Sequence, residues 1–250
     1  VTLTHGQTSF LVGALLGGGL LMVREKPWLV GVLIGLATIK PQFGLLVAVA
    51  LLAGGQWRVI AAAGASAMGL AGLAALAFGP EVWSEWLAVM AVAGSATGDG
   101  TIGFAKMVSQ FAGLRLLGVP GALAFAMQVL LAAAIGAVIA RAAWRRPFSP
   151  GLAALVLAGA PLATPFVLDY DLVLLIFPLA YLFARGRERG FLDWERVGLA
   201  AVFCSAAFAR PLALTTGVPL VPLLLLGMFL LVWRRLRTEA PAMPSGDGPG

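Results

Sequence analysis

Apolar runs of roughly 15 to 23 residues recur along the chain, and that length is what a helix needs to cross a hydrocarbon core of about 30 Å. Breaks rich in Arg, Pro or Gly separate them and predict spans at 8–23, 59–79, 119–140, 150–166, 170–184, 195–210 and 217–233. Outer-membrane strands would instead alternate polarity in segments of about ten residues. The expected fold is all-α: a polytopic helical membrane protein of about seven spans. One stretch departs from the pattern. Residues 28–39 and 42–53 are apolar, but each makes only about 18 Å of helix at 1.5 Å per residue, and Ile39-Lys40-Pro41-Gln42 lies between them.

Charge decides how that stretch is read. If 28–53 is a broken short hairpin that returns to the side it left, one face collects Arg24, Lys26, Arg58, Arg141, Arg145, Arg146, Arg185, Arg187, Arg189, Arg196, Arg234, Arg235 and Arg237. Lys40, Lys106, Arg115 and Arg210 then remain for the other face. A single crossing would divide the Arg-rich turns between the two faces, so the positive-inside rule favours the hairpin. Two short full crossings give the same parity. With the Arg-rich turns cytoplasmic, the polar groups at His5, Gln7, Lys40, Gln42, Asp169, Tyr170, Asp171 and Arg210 converge outside, beside a long outer loop at 80–118. Within that loop Trp83, Trp86, Leu87 and Met90 share one side of a short helix, which suits a helix lying in the interface.

Composition narrows the class further. Hydrophobic residues make up 60% of the chain and charged residues 11%, with a mean hydropathy of +0.97; soluble domains carry about a quarter charged. The net charge of +6 resides mostly in short loops, so it reports orientation, and no nucleic-acid partner is expected. Cys204 is the lone cysteine and excludes an intrachain disulfide or a Cys-based metal site. No nucleotide-binding glycine motif, His/Cys ligand cluster or nucleophile elbow is present. A cofactor and a metal site are therefore not expected, with help from a divalent ion left open. Residues 1–237 read as a single helical transmembrane domain, and the polar Pro/Gly-rich stretch 238–250 as a disordered tail. Val1 is not a start methionine and no signal-peptide n-region precedes the first run, so the expectation is that the true N-terminus is missing.

The polar groups suggest anion chemistry. A cation in an apolar run costs several kcal/mol unless it is paired, hydrated or functional, and Pro41 suits the first position of the half-helix that follows. An ammonium beside a helix N-terminus is suited to phosphate. Arg210-Pro211, placed against the positive-inside bias, offers a second phosphate ligand. Asp169 and Asp171 either cap the span they begin or pair with Lys40 or Arg210, or else bind sugar or metal. Gln7, Gln42, Tyr170 and His5 are candidates for positioning a sugar or acceptor.

Gly6-Gln7 before a span, Gly31-Val32-Leu33-Ile34-Gly35-Leu36-Ala37-Thr38-Ile39-Lys40-Pro41-Gln42 leading to Gln56-Trp57-Arg58, and Tyr170-Asp171-Leu172 at a later span start together resemble glycosyltransferase family 87. Ser109-Gln110-Phe111-Ala112-Gly113-Leu114-Arg115 is similar to the family's long outer loop, and the resemblance covers most of residues 6–185. It implies a GT-C-like integral membrane mannosyltransferase using a polyprenyl-phosphate sugar as donor. With such a donor, Lys40 and Arg210 are expected to bind its phosphate, and Asp171 or Asp169 to substitute for the family's catalytic acidic residue where the whole protein does not supply it. Gln7, Gln42, Tyr170 and His5 then position the sugar or the acceptor. The implied partners are membrane lipid, the polyprenyl-phosphate-linked sugar and a lipid or glycan acceptor. The implied location is the plasma (inner) membrane, with the active face extracytoplasmic. The family's catalytic acidic residue belongs to a first outer loop upstream of this chain's beginning. Two alternatives stand beside the enzyme: a transporter or lipid flippase, and a non-catalytic membrane scaffold.

Overall fold

The charged and glycine-rich breaks end helices much as the sequence places them. The structure is a computed structural model that describes residues 7–101 and 103–239. Chain order gives α1 (Ser9–Leu21), α2 (Pro27–Leu36), α3 (Gly44–Ala53), α4 (Trp57–Phe78), α5 (Val82–Gly98) and α6 (Gln110–Leu116). Then follow α7 (Gly121–Arg145), α8 (Pro150–Gly159), α9 (Ile176–Arg189), α10 (Glu195–Thr216) and α11 (Leu220–Thr238). The local reasons are visible. Pro27 and Pro150 occupy first helical positions, where a missing N–H is harmless, and Ser149 accepts a hydrogen bond from the Leu152 amide. Gly190 and Gly217, both at positive φ, end α9 and α10.

Packing fixes the direction of the first helices. Gly31 lies against Val59 and Ala62, and Gly35 against Ala63 and Ser66, so α2 and α4 run parallel in close contact. The Ser66 hydroxyl donates to the Val32 carbonyl across the same seam at 3.1 Å. Parallel neighbours require α3 to return between them, and it does: Val23, Arg24 and Pro27 surround one recess with Gly55, Gln56, Trp57 and Arg58. Residues 27–53 are thus a hairpin broken at Lys40. A Cβ at Gly31 would collide with the Ala62 Cβ and stand 2.6 Å from the Val59 carbonyl oxygen. Gly31→Ala is expected to lower stability by about 1–3 kcal/mol through overpacking, read as an earlier unfolding midpoint in detergent; an unchanged midpoint would disprove the tight seam.

Helix α8 sits at the centre. Every residue from Gly151 to Gly159 is buried, because α1, α3, α7, α9 and α11 surround it. A helix apolar all round is stable only in such a place. On the far side α4 buries only Val59 and Ala62, and none of the described side chains of α5 is buried. Trp83 and Trp86 meet edge to face on α5, with Leu87 and Met90 exposed beside them. In the turn after α5 the Thr101 hydroxyl and amide donate to Asp99, which holds that carboxyl below its usual range.

Helix length does not confirm the expected seven spans. Among the described residues only α4 and α7 are long and apolar enough to cross a membrane, and a third crossing is counted if α10, bent by 80° ahead of Pro211, is one span. Helix α1 has 13 residues and α8 has 10, the latter ending in a 3-10 turn at Ala160–Leu162 that holds Pro161. Apolar composition continued through these breaks, but helical geometry did not. Of the predicted tail, residues 240–250 lie outside the described residues.

All the same, the ends of the bundle sort as the charges predicted. Ser9, Lys40 and Asp171 meet at one end; Arg146 reaches the Leu236 carbonyl, and Arg235 reaches Glu195, at the other. Trp28, Trp57, Trp144 and Trp194 are exposed near that Arg-rich end, as interfacial aromatics are.

Candidate functional site

Two proline-marked breaks build the site. At the first, α2 tightens into a 3-10 turn (Ala37–Ile39), Lys40 is extended at φ −125°, ψ 78°, and a second 3-10 turn begins at Pro41. The residue before a proline is pushed out of helical geometry, so the chain is broken at Lys40 itself. At the second, Pro165 precedes a stretch leading into a 3-10 turn at Asp169–Leu175 that runs on into α9. The Asp171 amide donates to the Leu168 carbonyl, and the Leu168 amide donates back to Asp171 Oδ2 at 3.2 Å.

Between the breaks lies an ion pair. Lys40 Nζ stands 2.6 Å from Asp171 Oδ1 and 2.7 Å from Ser9 Oγ, and the Ser9 hydroxyl donates to the same carboxylate oxygen at 2.7 Å. The side chains of Lys40 and Asp171 are 12% and 1% exposed. The ammonium also lies 4.8 Å from the centre of the Tyr170 ring. Both Asp171 oxygens are therefore occupied, whereas Asp169, 12% exposed, has Arg210 Nη1 at 3.9 Å from Oδ2, too far for a hydrogen bond. The geometry divides the two candidate carboxylates: Asp171 holds Lys40, and Asp169 faces open space.

That space is a groove of about 950 Å³ bounded by Phe10 of α1, residues 169–183, and Leu199 to Ala207 of α10. Asp169 and Tyr170 are at its head, and Leu172, Ile176, Leu179 and Phe183 line its length toward the Arg-rich end. Gln42 is half-buried on the turn after Lys40, and Gln7 leads into α1 two residues ahead of Ser9. His5 lies outside the described residues. Among those residues no group of three or more His, Cys, Asp or Glu could hold a metal.

Sequence reasoning missed three supporting features. Ser9, fully buried, bridges Lys40 and Asp171; its only signal was a hydroxyl in the first turn of an apolar run. Gln128, 1% exposed, accepts from the Phe111 amide at 3.0 Å and donates to the Leu162 carbonyl at 2.8 Å, tying α7 to α6 and to the end of α8. The Val108 amide donates to the Val167 carbonyl beside a Met107–Leu168 bridge, so the outer loop is stitched to the backbone just before Asp169. Gln128→Leu leaves the Phe111 amide and Leu162 carbonyl unpaired and is expected to cost about 2–4 kcal/mol. Unfolding of the purified variant checks this, and a wild-type midpoint would contradict it.

Apolar helices around a buried ion pair at one end of the bundle, with an apolar groove beside it, define a helical membrane protein. The chain belongs to glycosyltransferase family 87, whose profile matches residues 1–165, and is a glycosyltransferase. No curated protein and no solved structure matches it.

Proposed function

We propose that this protein is a GT-C-type enzyme that moves a hexose, mannose in the first instance, from a polyprenyl-phosphate donor to a lipid or glycan acceptor at the extracytoplasmic face of the plasma membrane. The observation that carries the reading is Lys40 held at the hairpin break against the ring of Tyr170, which with Asp169 stands at the head of an apolar groove between α9 and α10. In this reading the polyprenyl chain lies along the groove and its phosphate meets the ammonium. An acceptor hydroxyl attacks the anomeric carbon, the bond from that carbon to the phosphate oxygen breaks, and polyprenyl phosphate leaves with its electron pair. The hydroxyl proton passes to Asp169, the carboxylate left open at the groove mouth. Lys40 stabilises charge growing on the leaving phosphate, and Arg210 adds a second cation across from Asp169. Asp171 and Ser9 keep the ammonium in place, and Tyr170, Gln7, Gln42 and His5 contact sugar or acceptor.

A transporter would need polar groups along a path from both ends. The groove is apolar below Tyr170, which favours a lipid substrate over a conduit.

The deciding assay is transfer from radiolabelled polyprenyl-phosphate-mannose in membranes holding the full-length protein, with Asp169→Asn alongside. Transfer by the wild type that falls about a hundredfold or more in the variant, with donor KM little changed, is the expected result for a lost general base. Wild-type membranes without transfer, or a variant of undiminished rate, would refute the assignment. Sidedness has its own test. Single cysteines at Ser95 and Arg187, both exposed, in a Cys204→Ser background should react with an impermeant maleimide from opposite faces, Ser95 from outside; labelling of both from one face would overturn the orientation.

A further inference from the structure

At the Arg-rich end, the starts of α2 and α4 border one recess of about 420 Å³. Arg24 and Arg58 line it, together with Pro27, Gln56 and Trp57. Neither arginine has a carboxylate partner among the described residues, and Glu25, beside Arg24 in the chain, pairs with neither. Other arginines at this end are engaged: Arg146 donates to the Leu236 carbonyl, Arg185 meets Glu239, and Arg235 meets Glu195. Two like charges lining one cavity raise each other's energy until an anion enters.

Helix polarity adds to the anomaly. The first turn of a helix carries partial positive charge and is stabilised by acidic residues. Here α2 has Lys26 at its N-cap and α4 has Arg58 in its first turn; neither has an acidic residue there, and neither has a side-chain cap. The two helices are parallel, so their positive ends and uncapped first-turn N–H groups add to the field of the arginines. Against two guanidinium groups and two helix starts, no acidic side chain lines the recess.

We infer that this recess binds a phosphate group, that of an anionic phospholipid from the leaflet at the Arg-rich end. The planar fork of a guanidinium suits phosphate oxygens. The surroundings favour a lipid over free phosphate as its source. Trp28 and Trp57, 60% and 65% exposed at the starts of α2 and α4, mark the level at which a bilayer gives way to water. Below that level Leu29 and Val32 of α2 and Leu52 of α3 are exposed, so acyl chains find apolar helix surface while the headgroup sits in the recess. In the orientation proposed above, this end meets the cytoplasmic leaflet, where anionic lipids reside. A phosphate held by Arg24 and Arg58 ties the segment before α2 to the start of α4 and so closes the open end of the hairpin, at the opposite end of the bundle from Lys40 and Asp169.

Unfolding midpoints of the purified full-length protein in a nonionic detergent read the binding. Added dioleoyl phosphatidylglycerol should raise the wild-type midpoint by about 5–10 °C, as a ligand at a hundred times its dissociation constant does. Dioleoyl phosphatidylcholine, whose choline brings a third cation, should raise it much less. Arg24→Gln with Arg58→Gln should abolish the rise, whereas Arg187→Gln with Arg189→Gln, which removes the same charge from exposed positions on α9, should keep it. Without lipid, the Arg24 and Arg58 double variant should melt at or above the wild-type temperature, because two repelling cations are gone. Inorganic phosphate that raises the midpoint as far as phosphatidylglycerol does would keep the recess as an anion site and overturn the lipid as its occupant. Equal rises with the two lipids, a rise that persists in the Arg24 and Arg58 double variant or is lost in the α9 control, or a lipid-free double variant that melts far below the wild type overturns the site. None of these readouts uses sugar transfer, so a failure of the transferase reading leaves the result standing.

Discussion

Lys40→Met is expected to lose about 3–5 kcal/mol of stability, because it leaves the Asp171 carboxylate buried beside Ser9 with its charge uncompensated. A dead single variant would therefore say little about chemistry. The informative protein is the double variant Lys40→Met with Asp171→Leu, in which both charges are gone and the gap is filled by apolar groups. Replacing a whole buried ion pair in this way is commonly neutral or stabilising. The double variant is expected to recover most of that loss, less about 1–3 kcal/mol for each of the Leu168 amide and the Ser9 hydroxyl that lose their acceptor, and still to transfer sugar about a hundredfold to a thousandfold more slowly, the usual loss when a charge-stabilising group is removed. Normal turnover in a well-folded double variant would reduce Lys40 to a structural lysine and return weight to the scaffold reading.

The opposite end of the bundle supplies the contrast. Glu195 is fully buried; Arg235 makes a bidentate contact with it and donates a further bond to the Gly190 carbonyl, while Glu195 also accepts from the Leu192 amide. This pair ties the α9–α10 turn to α11 far from the groove mouth. Arg235→Met is expected to cost about 3–5 kcal/mol, as Lys40→Met does. Arg235→Met with Glu195→Leu should recover most of that loss, less about 1–3 kcal/mol for each backbone group left unpaired, and should keep normal transfer. Unfolding midpoints and specific transfer rates for the two double variants check both predictions together. If the Arg235 double variant folds but is inactive, the distinction between a working pair and a structural pair fails.

Much of the architecture was legible because charge in a membrane protein is scarce and therefore informative. The Arg-rich turns gave the order and sense of the helices, and Lys40-Pro41 gave the break at which α2 and α3 part. Helix length was less legible. Apolar composition runs unchanged through Ala160-Pro161-Leu162 and the 169–175 turn, so hydropathy joined segments that the backbone separates. The site divides the same way. Lys40, Tyr170 and Asp171 stood out by type and position, and their meeting was one of the pairings left open. Which carboxylate takes the lysine depends on α1 lying alongside the 169–175 turn and the start of α9, with Gly13 against Val173 and Gly17 against Phe177, and that contact spans more sequence than any local pattern reports. Ser9 and Gln128 were hidden for another reason: one hydroxyl and one amide scarcely alter the mean hydropathy of an apolar run, yet each satisfies two partners where no water is at hand.

The stitch between Val108 and Val167 bears on how this chain tolerates changes in length. Residues inserted between Gly79 and Gly103 would extend an arm whose helix buries none of its described side chains, and would leave the groove mouth as it is. An insertion between Met107 and Leu116 would shift the register of α6 beneath Gln128 and pull on the backbone that presents Asp169. The same outer loop therefore contains a stretch free to drift in length and a stretch held to the residue, and the boundary falls at the 3-10 turn of Phe104–Lys106.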